Sequence, residues 1–195
     1  MHDLDIQRLR EAYFAALEAA GNSDPNPAVG AIVTDIDGNI ISRGFTQRAG
    51  YAHAERMALQ NADIDYTDKT LYVTLEPCCH HGRTPPCTNI IRERGIRRVV
   101  IGERDFAAEV KGESVEVLRQ SGIAVDILPE SLFVAEKYFT TGPFFHARRF
   151  KRPRVVLKWA QTSDGALAPQ KGASGKISGE TAAAVTAALR NYCKF

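Results

Sequence analysis

An α/β sandwich with a mixed sheet is the fold class this sequence predicts, and two features predict it. Strand-like and helix-like stretches alternate from Lys69 onward, the pattern of helices packed on a sheet. Ahead of them, two β-rich runs flank the Asp37-Gly38 turn signal and add a hairpin. The chain has 195 residues, 44% hydrophobic and 25% charged, which suits one globular domain of ordinary size with an appendage.

The elements follow in order. Ile6, Leu9, Tyr13, Leu17 and Ala20 recur at spacings of three and four, an amphipathic helix that Gly21 stops. A turn-rich loop with Pro25 and Pro27 leads into the hairpin "AVGAIVTDIDGNIISRGF". "HAERMALQNA" has helical composition, "KTLYVTLEP" is a strand, and "TNIIRERG" returns to helix with Gly95 at its end. "IRRVVIG" is a strand, "GESVEVLRQSG" a helix and "IAVDIL" a strand. "PESLFVAEKYFTTG" reads as one helix with proline at its start. "FKRPRVV" reads as a linker, which puts a boundary near Arg152, and "RVVLKWAQ" reads as a new strand beyond it.

A formal charge of +2 is too small to argue for a nucleic-acid or membrane-surface partner. No run of apolar residues is long enough to span a bilayer. The start carries acids early and lacks a small-residue cleavage site, so no secretory signal and a cytoplasmic location are expected.

The chemistry concentrates in "LEPCCHHGRTPPC", Leu75 to Cys87, which holds three cysteines, two histidines and three prolines. In a reducing compartment such a cluster suggests metal binding or catalysis more than a disulfide framework. Zinc takes four ligands, and a catalytic site leaves one of them to water. "HAE", His53 to Glu55, opens a predicted helix and is the obvious source of help. His53, Cys78 and Cys87 then make a site of one histidine and two cysteines, with Glu55 beside the bound water. The pattern is that of zinc-dependent deaminases, H-x-E followed by P-C-x-x-C. The residue three after Cys78 is His81, so either His81 or Cys87 is the third ligand. Thiolate softness and the entry to the next helix favour Cys87.

"HAE" with "LEPCCHHGRTPPC", preceded by "PNPAVG" and followed by "RRVVIGERD", resembles the bifunctional riboflavin-biosynthesis deaminase–reductase family (RibD) over residues 5 to 150. The resemblance implies a cytidine-deaminase-like three-layer α/β/α sandwich, with residues 1–150 as the deaminase domain. It implies zinc on His53, Cys78 and Cys87, and Glu55 as proton shuttle. It also implies that Asn26, His80, Arg83 and Thr84 line a pocket for a ribosylaminopyrimidine 5′-phosphate. Asn26 and His80 offer hydrogen bonds to a polar heterocycle, and Arg83 a planar fork suited to phosphate.

Departures from the family stand at Thr46, where histidine is usual, at Tyr51, where an acidic or small polar residue is common, and at Arg56, where valine is usual. Residues 151–195 resemble a linker and the first strand and loop of the reductase half, with Asp164-Gly165 in place and Lys176 where tryptophan is usual. No complete NADPH-dependent reductase is expected. The leading expectation is hydrolytic deamination of a phosphorylated aminopyrimidine in riboflavin biosynthesis, with self-association and no nucleic-acid or membrane partner. A nucleobase or nucleoside deaminase and a non-catalytic zinc-binding partner are the alternatives. A structural zinc site closed by Cys79 or His81 would leave Glu55 without a purpose.

Overall fold

The computed structural model describes residues 3–106, 113–166 and 179–192, and the chain divides into two compact units, Met1–Arg152 and Pro153–Phe195. In the first, five strands form one mixed sheet: β1 (Gly30–Thr34), β2 (Ile40–Phe45), β3 (Thr70–Val73), β4 (Arg98–Ile101) and β5 (Ala124–Ile127). Their order is β2-β1-β3-β4-β5. The hairpin β1–β2 and the pair β1–β3 are antiparallel, while β3–β4 and β4–β5 are parallel. Gly38 makes the hairpin turn at φ +84, a conformation open to glycine at no steric cost.

Helices cover both faces. α1 (Asp3–Ala19) lies on one, where Leu9, Ala12 and Tyr13 pack with Ile32, Tyr72 and Val100. α2 (Ala54–Leu59), α3 (Cys87–Glu93) and α4 (Glu113–Gln120) lie on the other, bringing Ala58, Leu59, Ile91 and Leu118 against Val33, Val73, Val99 and Ile101. Successive strand residues point to opposite faces, so strands covered on both sides read as apolar runs such as the Val99-Val100-Ile101 stretch of β4. The buried stripe of α1 runs through Leu9, Ala12, Tyr13, Ala16 and Ala19. Leu17, expected on that stripe, is 44% exposed because the buried face is centred on Ala12, Ala16 and Ala19, about a third of a turn away from it.

The helix sits close on the sheet at Gly30, where a Cβ would fall 1.9 Å from the Ala12 carbonyl oxygen. A polar clamp ties the same helix to the far strands. Asp5 accepts two hydrogen bonds from Arg98, at 2.8 and 2.9 Å, and one from the Tyr72 hydroxyl at 3.0 Å. Arg98 also pairs with Asp126 at 2.7 Å.

The single helix expected over 129–142 is two helices, α5 (Val134–Phe139) and α6 (Gly142–Phe150). Phe133 enters α5 in the left-handed region at φ +59, and Pro143 starts α6 afresh, where its missing N–H costs nothing. Thr141, buried at the break, donates to the Glu103 carboxylate at 2.5 Å.

In the second unit, residues 154–161 form no strand among the described residues, correcting the expectation for "RVVLKWAQ". A β-rich run needs a neighbouring strand to take its backbone hydrogen bonds, and it has no ladder partner there. The Asp164-Gly165 turn is present, closed by Gly165 N–H donating to the Thr162 carbonyl at 3.0 Å, and α7 (Glu180–Tyr192) follows. Lys176 and Cys193 lie outside the described residues.

Candidate active site

The site assembles where two helix starts meet the end of β3. His53 is the N-cap of α2, and Glu55 sits in that helix's first turn. Cys87 is the first residue of α3, with Pro86 before it fixing the entry. Cys78 lies on the loop leaving β3, and the Cys87 backbone N–H donates to its sulfur at 3.3 Å. Helix starts offer unsatisfied N–H groups and a positive dipole end, which favour thiolate.

His53 Nδ1 stands 3.6 Å from Cys78 Sγ and 3.4 Å from Cys87 Sγ. All three donor atoms lie within 4.8 Å of one another, the sole such His/Cys/Asp/Glu group among the described residues. A tetrahedral zinc with its usual bond lengths separates nitrogen and sulfur donors by about 3.6 Å, so this donor set fits the ion. Neither Cys79 nor His81 joins the group. His81 is exposed on the loop and Cys79 is half-buried.

The charges fit together. Cys78 carries the thiolate of the pair: hydrogen bonds from Cys87 and His53 push its pKa down to about 4 against the cost of burial. Cys87 moves the opposite way, its thiol held well above the usual range by its hydrogen bond to Cys78 and by burial. His53 is raised by the same sulfur of Cys78. Glu55 is 3% exposed, and burial, reinforced by the charge of Cys78, pushes its carboxyl up to about 7. A carboxyl raised to that range can both take and give a proton near neutrality.

In front of this group is a cleft with two lobes that share Asn26, His53, Cys78 and His80. The first, of about 220 Å³, contains Glu55 and is walled by Val29, Leu75 and Phe144. The second adds Pro25, Gly82, Arg83 and Thr84. Seven of the eight residues singled out in the sequence therefore border these two lobes, and the eighth, Cys87, is buried beside His53 and Cys78. Asn26 is held by its backbone, N–H donating to the Ser23 carbonyl at 2.9 Å and the carbonyl accepting from Ser23 Oγ at 3.1 Å.

Several cleft residues were not anticipated. Asp105 and Glu76 line the first lobe, as does Arg148 of α6. Glu76 is buried and committed, accepting from Ser114 Oγ at 2.6 Å and from the Asp105 N–H at 3.3 Å. Of the three departures, Thr46 lies on the cleft wall, buried, with the Val29 N–H donating to its hydroxyl at 3.3 Å. Tyr51 is 68% exposed. Asp105 had a signal in the retained "ERD" run, whereas Phe144 and Arg148 carry no motif.

Comparison with known proteins agrees with this geometry. The family "Cytidine and deoxycytidylate deaminase zinc-binding region" matches residues 4–103. The riboflavin biosynthesis protein RibD of Actinobacillus pleuropneumoniae is 42% identical over 180 residues, covering 92% of this chain and 47% of that protein. The crystal structure of a diaminohydroxyphosphoribosylaminopyrimidine deaminase/5-amino-6-(5-phosphoribosylamino)uracil reductase from Thermotoga maritima superposes with a TM-score of 0.78 at 42% identity, covering 93% of this chain and 52% of that one. The Rib2 deaminase of Aspergillus oryzae, at 20% identity and a TM-score of 0.62, shares the fold over 75% of this chain and 95% of its own. The chain spans about half the length of the RibD relatives it matches. No helix among the described residues is long and apolar enough to cross a membrane.

Proposed function

The chain belongs to the zinc-binding cytidine and deoxycytidylate deaminase family, with the deaminase half of RibD as its counterpart, and from that premise we propose that it hydrolyses the amino group of a ribosylaminopyrimidine 5′-phosphate in riboflavin biosynthesis. The observation that carries the reading is the triad of donor atoms, His53 Nδ1 at 3.4 and 3.6 Å from two sulfurs, with buried Glu55 beside it.

His53, Cys78 and Cys87 would hold the zinc, and residues 1–150 form the deaminase unit. Bound zinc supplies a Lewis acid that brings the pKa of water toward ~7. Glu55 does the proton work. It accepts a proton from the attacking water and delivers it to the ring nitrogen as the new carbon–oxygen bond forms. Now unprotonated again, it takes the second proton from the newly added hydroxyl and passes it to the departing amine as the carbon–nitrogen bond breaks and the carbonyl forms. One water is consumed and one ammonia leaves. A carboxylate used this way contributes about 10²–10⁴-fold. Burial excludes bulk water from that transfer. Val29, Leu75 and Phe144 offer apolar walls for a flat heterocycle, Asn26 and His80 offer hydrogen bonds to it, and Arg83 with Thr84 receives the phosphate.

Metal analysis combined with ammonia release across a panel of aminopyrimidines tests the reading. One zinc per chain and a preference for the phosphoribosyl aminopyrimidinone are expected. Zinc without ammonia from any member of the panel would overturn it, and so would turnover restricted to cytidine or adenosine.

A further inference from the structure

The arginine on α6 belongs to the reacting end of the cleft, not to its phosphate end. Arg148 lines the lobe that contains Glu55, whereas Arg83, Gly82 and Thr84 line the other. Glu55 has to reach the reacting ring atom, so the lobe it borders takes the ring. Arg83, bordering the lobe without Glu55, is left with the tail.

α6 presents Arg148 there through a fixed arrangement. Phe144 and Arg148 are four residues apart and share one helix face. The guanidinium carbon lies 4.8 Å from the centroid of the Phe144 ring, and both residues line the lobe that contains Glu55. The helix itself is anchored twice, by Phe145 against the core cluster and by Thr141 on Glu103 at 2.5 Å. Phe145 also meets Phe106 edge-on at 6.2 Å.

We infer that Arg148, steadied by Phe144, is a specificity-determining residue that reads the oxo acceptor edge of a pyrimidinone ring. The inference rests on the deaminase reading of the site and goes on to say which rings it admits. A guanidinium offers five donors and no acceptor. It therefore matches a ring carbonyl or an unprotonated ring nitrogen, and it opposes an amino group at the same place. Glu55 and Asp105, in the same lobe, supply the complementary acceptors for amino groups.

Calorimetric titration of the zinc-loaded protein with two separate probes tests this: 2,5,6-triaminopyrimidin-4-one for the ring, and ribose 5-phosphate for the tail. Arg148→Met should weaken the ring probe roughly tenfold or more, the loss expected for one charge-assisted hydrogen bond, and leave ribose 5-phosphate unchanged. Arg83→Ala should do the reverse. Arg148→Lys, which keeps the charge without the fork, should recover part of the ring affinity, with thermal midpoints unchanged throughout. Unaltered ring affinity in Arg148→Met would overturn the inference. So would equal losses for both probes, or a loss accompanied by a lowered midpoint. Wild-type protein that binds the ring probe in this Arg148-dependent way yet releases no ammonia would sustain the inference and sink the deaminase reading. Failure of the wild type to bind the ring probe would overturn the inference itself.

Discussion

Gly44→Ala tests whether the site depends on how closely α2 rides on the sheet. Gly44 sits in β2 under α2, the helix that carries His53 and Glu55. A Cβ at this position would fall 2.4 Å from the Ala54 carbonyl oxygen and 2.5 Å from the Ala58 nitrogen. Real side-chain carbons do not approach closer than 3.0 Å, so the Ala54 carbonyl has to retreat by at least about 0.6 Å. That carbonyl lies between the histidine and the glutamate in the chain, so both move with it. Metal sites tolerate about 0.2 Å in donor distance. A displacement three times larger should weaken zinc by about 10–100-fold, the scale of losses from disturbed ligand orientation. Misplacement of a reacting group by about 1 Å costs on the order of 10²-fold in rate. Overpacking should cost about 1–3 kcal/mol, lowering the melting midpoint by about 2–12 °C for a chain of this size. Zinc affinity by competition with a chromophoric chelator, ammonia release at saturating zinc, and thermal melting read the three effects separately. A Gly44→Ala protein with wild-type zinc affinity and full turnover would refute the reasoning.

Other substitutions bear on other parts of the account. Glu55→Gln keeps the shape of the side chain and removes its proton exchange, so ammonia release should fall about 10²–10⁴-fold while zinc content stays at one per chain. Arg83→Ala should raise KM for the phosphorylated substrate more than it lowers kcat, which steady-state kinetics against the dephosphorylated analogue would resolve. Stability should fall in alkali: burial and the Asp5 hydrogen bond push Tyr72 up to about 12 from 10.0, so the unfolded chain loses this proton first. The contribution is complete below pH 10 and is lost as pH rises through about 12. Urea midpoints measured across that window should decline, and less steeply in Tyr72→Phe.

The elements that carry the candidate site were legible because their signals are local. A histidine ahead of a helical run, a proline pair ending at Cys87, and an Asp-Gly turn each fix nearby backbone whatever the rest of the chain does. The same holds for β3 and β4, where the runs Leu71-Tyr72-Val73 and Val99-Val100-Ile101 are buried at every position and mark strands covered on both faces. The break between α5 and α6 was not legible, since helical composition continues across it and only the Thr140 backbone and Pro143 mark where one helix ends and the next begins. The cleft's far wall was hidden for a different reason. Thr46, Asp105, Phe144 and Arg148 come from separate elements, and only the packed sheet brings them together. Gly44 and Gly30 look like ordinary strand glycines until a helix is laid across them. The clamp of Arg98 on Asp5 joins residues 93 apart, beyond any periodic pattern.

X-ray absorption at the zinc edge of the loaded protein probes the central claim most directly. Two sulfurs at about 2.3 Å and two lighter donors at about 2.0–2.1 Å are expected, one of the latter exchanging with a competing anion while His53→Ala removes the other. A shell of three or four sulfurs, or one whose lighter donors are both imidazole and resist exchange, would contradict it.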